Sequence, residues 1–156
     1  MGPRRLSLPV SEECNTRSHK VIQPMTSEDK QVESKSATIP RKNFYRQGYD
    51  KLSRFVSYWH QINEIWNTEP QHLLEIGEGN KFVSGYLKER GFDVLTLDIN
   101  VELHPDVLGS ITSLPFRDNT FDSVAACEVL EHIPKDTVGP ALSEMYRITR
   151  NHAIIS

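Results

Sequence analysis

The stretch His72-Leu-Leu-Glu-Ile-Gly-Glu-Gly-Asn80, answered further on by Asp98, decides the fold. Leu73, Leu74 and Ile76 form a short apolar run of strand type. Gly77 and Gly79 follow at once, and a helical pattern begins after them. A strand that stops on glycines and turns into a helix builds a corner for a nucleotide or an anion. Glycine lets the backbone come close to a ligand, and the N–H groups of the helix start point at it. About 20 residues on, an acid at the tip of the second strand is placed to take two ribose hydroxyls. Asp98 is that acid.

Upstream of this corner, Phe44–Asn67 predicts a helix. Tyr49, Leu52, Phe55, Val56, Trp59, Ile62 and Trp66 recur at helical spacing, an aromatic stripe expected to pack on a sheet. Tyr58, His60 and Gln61 on the same helix offer a second role, lining a lid. Residues 1–42 carry prolines at positions 3, 9, 24 and 40, are rich in Ser, Thr, Glu, Lys and Gln, and keep no period. That composition predicts a disordered, solvated tail ahead of one domain over 43–156.

Downstream, the first strand covers about His72–Ile76. A crossover helix follows from Asn80, its N-cap, to Arg90, burying Phe82, Val83, Tyr86 and Leu87. Further strands are expected at Asp93–Leu97, Asp106–Leu108 and Asp122–Cys127. A helix is expected over Thr137–Arg150, with Val138, Ala141, Leu142, Met145 and Ile148 on one face, and a fifth strand starts at Ala153. Strands alternating with helices argue for a doubly wound, mostly parallel sheet with helices on both faces. Right-handed crossovers then bring Gly77, Asp98, Ser110 and Cys127 to one edge, where the ligand crevice lies.

Composition narrows the classes. The net charge of −3 gives no general attraction to nucleic acid or to anionic membrane. Two cysteines, Cys14 and Cys127, make no disulfide framework, so a reduced, cytoplasmic setting is the simpler expectation. No apolar run reaches spanning length, and Met1-Gly-Pro-Arg-Arg-Leu6 fits neither a signal peptide nor a myristoylation site. No metal-ligand spacing stands out. A Walker loop is absent because no Gly-Lys-Ser/Thr follows the glycines. A dinucleotide oxidoreductase wants a third glycine at position 82 for tight helix–strand packing, and Phe82 stands there.

What remains is Glu75-Ile-Gly-Glu-Gly79, Asp98, Ser110-Ile-Thr-Ser-Leu-Pro-Phe116, Phe121-Asp122 and Glu128-Val-Leu-Glu-His132. In this order and spacing the set resembles the class I S-adenosylmethionine-dependent methyltransferases of type 11, over about Phe44–Ser156. The resemblance implies a Rossmann-like fold, S-adenosyl-L-methionine as cofactor, and methyl transfer to an acceptor that the sequence does not name. It implies that Glu75 orients the glycine loop near the amino group of the methionine moiety, and that Gly77, Glu78 and Gly79 pack on the cofactor. Asp98 would hold the ribose and Ile99 the adenine face. Ser110 and Ile111 would reach the adenine edge, and Cys127 and Glu128 would border the methionine moiety through their backbones. It assigns no catalytic residue; His132 at the rim is a candidate base only where the acceptor must lose a proton.

Three departures stand out. Lys81 occupies a place where the family often has glycine, so its side chain is expected either in water or on the methionine carboxylate. Ser110 stands where Asp is common. The strand pattern stops at the fifth strand where seven are usual, so the chain is expected to be incomplete at its C-terminus. The alternative reading is therefore a truncated, non-catalytic module of the same fold.

Overall fold

The computed structural model describes residues 40–46 and 48–156. Of the expected tail, only residues 40–42 fall among them, and Arg41–Asn43 form a 3-10 turn. The readings made for residues 1–39, Cys14 included, lie outside the described residues.

Helix α1 covers Leu52–Asn67. It starts later than its aromatic spacing predicts: Gly48 holds a φ of +91° and Lys51 is extended, and residues 41–46 and 48–50 run as turns. The face is also different. Tyr58, Gln61 and Ile65 are buried, whereas Leu52, Val56 and Trp59 are at least half exposed. Polar groups can sit inside when bonded. Gln61 Nε2 donates to Ser57 Oγ at 3.4 Å and to Ser156 Oγ at 3.5 Å, and the Tyr58 hydroxyl donates to Asp50 Oδ1 at 3.5 Å. The remaining aromatics line an outer groove of about 320 Å³ between α1 and the next helix, with no charged side chain in its wall.

Strand β1 is Leu73–Ile76, buried at every position, as a strand covered on both faces must be. Helix α2 (Phe82–Glu89) crosses to β2 (Val94–Asp98). It buries Val83, Ser84 and Leu87, while Phe82 and Tyr86, expected inside, are each 38% exposed. Phe82 instead stacks on Tyr58 at 4.7 Å and joins the two helices. A short strand β3 (Val107–Leu108) and a turn-rich connection lead to β4 (Phe121–Ala126). Helix α3 (Val138–Ile148) then returns to β5 (Thr149–Ile155). β5 begins four residues before its apolar triplet, because Thr149 and His152 pair with Phe121 and Ser123 across a bulge. Its polar residues face water at the sheet edge, which hides such a strand from hydropathy.

The sheet order is β3-β2-β1-β4-β5 and every pair is parallel. Alternate residues of β1 serve opposite faces. Leu73 packs with Tyr58, Ile65, Val83 and Leu87 of α1 and α2. Leu74 and Ile76 pack with Ala141, Met145 and Ile148 of α3 and with Ile111 and Leu114 of the connection. The fold is therefore the doubly wound sheet that the sequence predicts.

Arg147 of α3 holds the helix-free connection in place. It donates to the carbonyls of Phe116 at 2.7 Å and Leu114 at 3.1 Å, and pairs with Asp118 at 2.9 Å. Two bonds of 2.7 and 2.8 Å to Glu144 fix its guanidinium, and Glu144 accepts the Leu114 N–H at 2.8 Å. Arg147→Met keeps the stem and removes the donors, so it is expected to cost about 2–3 kcal/mol of stability. Urea melts of the two chains check this, and coincident midpoints would contradict it.

Candidate cofactor-binding site

At the carboxyl end of β1 the chain turns left-handed three times, with φ of +79° at Gly77, +50° at Gly79 and +63° at Lys81. A side chain is tolerated poorly in that region. Lys81, without a glycine's freedom, bears that strain. The loop is fixed from several sides. The Gly77 N–H donates to Leu97 O at 2.8 Å, extending the ladder to β2. Asn80 Oδ1 accepts the Phe82 N–H at 3.1 Å, so Asn80 caps α2 from one residue farther out than expected. The Lys81 side chain does not simply extend into water. Its ammonium donates to His104 O at 2.8 Å, in the corner after β2, and stands 3.2 Å from Glu78 Oε1.

Three carboxylates surround this loop. Glu75 and Glu78 are buried, and Asp98 is partly so. Among the described residues, Glu75 Oε2 and Glu78 Oε1 have no hydrogen-bond partner; the Lys81 ion pair supplies charge to Glu78 without bond alignment. Burial pushes the Glu75 carboxyl up to about 8, with Ser84 hydrogen bonds opposing and the neighbouring Glu78 adding to the rise. Burial also raises Asp98 above its ordinary value, against the N–H groups of Asn100, Ile99 and Glu78 that turn toward it. Asp98 Oδ1 accepts the Asn100 N–H at 2.7 Å. Its carboxylate therefore faces the glycine loop across the β1–β2 boundary.

The matching family model, described as a methyltransferase domain, covers residues 74–156, more than half of the chain. The chain belongs to this methyltransferase domain family. A demethylmenaquinone methyltransferase of Renibacterium salmoninarum is 33% identical over an alignment of 101 positions that covers 57% of this chain and 41% of that protein. The chain thus spans less than half the length of this curated relative. Among solved structures, a 1,6-didemethyltoxoflavin-N1-methyltransferase of Burkholderia thailandensis, crystallised with 1,6-didemethyltoxoflavin and S-adenosylhomocysteine, aligns with a TM-score of 0.56 at 18% identity. The alignment covers 83% of this chain and 63% of that one. A SAM-dependent methyltransferase of Aquifex aeolicus aligns with a TM-score of 0.53 at 16% identity, covering 72% and 68%. These likenesses establish the fold.

The methyltransferase domain places its other predicted residues unevenly. Ile99 is 41% exposed beside Asp98, an apolar surface open to a flat ring. Ser110 Oγ is bonded to Thr112 Oγ1 at 2.9 Å, and the Ile111 side chain is in the core, which leaves that turn its backbone and one shared hydroxyl. Cys127 packs partly into the α1–α2 core, and burial pushes its thiol up to about 11, so it is no nucleophile at neutral pH. Glu128 is left-handed, with a φ of +56°, and its N–H donates to Ser156 O at 3.0 Å. His132 is exposed at the rim, 3.9 Å from Glu131.

Two features escaped the sequence reading. Val129 lies against Gly77: a Cβ on Gly77 would overlap Val129 Cγ2. The segment before α1 lies over Gly79, with Phe44 Cδ1 and the Tyr49 hydroxyl each 3.9 Å from where a Cβ would stand. Neither follows from spacing, because both are contacts between distant stretches. No described helix is long and apolar enough to cross a membrane. The described acids and histidines form no group that could hold a metal ion.

The donor set fits an adenosyl sulfonium. A buried acid without a partner is costly, and a ligand cation offsets that cost. Glu75 and Glu78 offer such oxygens, and Asp98 offers acceptors for a vicinal diol.

Proposed function

We propose that this domain binds S-adenosyl-L-methionine at the glycine corner and serves methyl transfer to an acceptor. The observation that carries the reading is the trio Glu75, Glu78 and Asp98 around Gly77 and Gly79, two of the trio with buried, unbonded oxygens. Asp98 takes the ribose hydroxyls, and Ile99 packs on the adenine, whose edge meets the Ser110–Ile111 turn. Glu75 and Glu78 balance the positive charge of the methionine moiety, which the backbone at Cys127 and Glu128 borders. When bound there, the cofactor would supply an electrophilic methyl carbon: an acceptor lone pair would bond to that carbon as its bond to sulfur breaks, and the sulfur would leave as a neutral thioether. The protein's part is alignment and exclusion of water. His132 can take a proton where the acceptor must lose one.

Isothermal titration tests the reading. S-adenosylmethionine is expected to bind the full chain, and Asp98→Asn to weaken it about 10- to 100-fold, the worth of charge-assisted bonds to a diol. NADH is expected to give no heat. Absence of heat with millimolar S-adenosylmethionine would overturn the reading and favour a non-catalytic module of the same fold.

A further inference from the structure

Helix α1 turns a row of apolar side chains away from the sheet. Leu52, Phe55, Trp59, Ile62 and Trp66 follow one another at steps of three and four residues, the spacing of a seam that packs on another helix. Helix α2 meets this row from one side only. Phe82 touches Phe55 edge to face at 5.5 Å, and Tyr86 continues the far wall of the groove. The rest is open among the described residues: Leu52 is 82% exposed, Trp59 60%, and Val56, beside the row, 50%. Both tryptophans of the chain stand on this face.

The size of the face says what kind of cover it takes. Between 38% and 60% of Phe55, Trp59, Trp66, Phe82 and Tyr86 is open there. At about 200 Å² for a whole aromatic side chain, these five present roughly 450 Å², and Leu52 with Val56 brings the face to roughly 600 Å². That is the upper end of the apolar patch left on a monomer, about 300–600 Å². Two such faces together present roughly 1,200 Å², where stable protein interfaces begin, before any polar rim is counted. Charge points to a like partner. A face that meets itself sets each charge near the axis against its own image, which favours a charge-free centre. The helix carries one arginine and one glutamate, Arg54 and Glu64, each five residues from Trp59 and so about 140° round the helix from it. Arg54 lies over the Tyr49 ring at 4.3 Å. The groove wall holds no charged side chain, its polar member being Asn63. Trp59 stands midway along the row, where a two-fold axis would cross it. We propose that this face pairs with the same face of a second copy of the chain, the two α1 helices running antiparallel with Trp59 at the axis.

Sedimentation of the full chain between about 1 and 100 μM tests the pairing. The parent is expected to pass from monomer to dimer over that range, and its tryptophan emission to move to the blue in step. Trp59→Ser and Leu52→Lys both alter exposed positions, so each variant is expected to keep its fold, which circular dichroism checks. Trp59→Ser is expected to raise the dimer dissociation constant at least about 30-fold, the loss typical of a central tryptophan. Leu52→Lys is expected to weaken the dimer in the same direction. Tyr146→Ser alters a side chain of α3 that is 84% exposed, and is expected to leave the constant within about twofold. A parent that stays monomeric at about 100 μM would overturn the proposal; if its tryptophan emission is already blue, the face is covered within one chain. A dimer that survives both α1 exchanges, or that Tyr146→Ser weakens equally, pairs through another face and overturns the proposal as well.

Discussion

At pH 7 to 8 the Glu75→Gln chain is expected to be more stable than its parent and to bind S-adenosylmethionine at least about tenfold less tightly. The two signs follow from one carboxyl. In the folded chain Glu75 titrates at about 8 because it is buried, against an ordinary value of 4.5. Below the ordinary value the group is neutral in both states, and the stability associated with it is fully present. Between that value and about 8 the unfolded chain ionises it and the folded chain does not. Stability therefore falls as pH rises through that window, by about 1.4 kcal/mol per unit at most. Glutamine has nothing to ionise, so the difference opens with pH and levels off above the folded value. Glu144, held below its ordinary value chiefly by the Arg147 hydrogen bonds, titrates at lower pH and shifts both chains alike. Urea melts at pH 5, 6.5 and 8 measure the gap, and parallel pH curves would refute it. The loss in binding has the same origin: a ligand ammonium beside Glu75 favours release of its proton and then meets a carboxylate, which an amide cannot become.

Gly77→Ala is expected to cost about 3–5 kcal/mol, roughly 1–2 from the left-handed backbone and the rest from overlap. Gly77 has a φ of +79°, and the added methyl would run into Val129 Cγ2 rather than into open space. Trimming the neighbour should therefore return part of the loss. In the pair Gly77→Ala with Val129→Ala, a coupling of about 1–3 kcal/mol is expected, leaving the backbone part unrecovered. Denaturant melts of the two single variants and the double variant give the coupling directly. Strict additivity would show that overlap with Val129 is not the cause.

The sheet could be read from the chain because its strands are apolar runs punctuated by glycine and aspartate. Leu73–Ile76 before Gly77 and Val94–Leu97 before Asp98 bury almost every residue, so hydropathy alone marks them. The positions of Glu75, Gly77 and Asp98 were legible for the same reason: each stands at or beside a strand end. α1 was misread because counting apolar residues cannot say which face meets the sheet. Two long bonds, to Ser57 and Ser156, give the buried Gln61 its partners, while Trp59 is 60% exposed. Lys81 was legible as an oddity, but its partner His104 O lies 23 residues away and leaves no local trace. The same holds for Val129 and Tyr49, whose importance comes from which distant stretch each one touches.

The Lys81–His104 tether described above has a mechanical consequence. It ties the loop that would cradle one end of an elongated ligand to the corner behind Asp98 that would hold the other end. That single exposed bond favours one spacing between the two jaws, and widening the gap means unfastening an ammonium from a carbonyl.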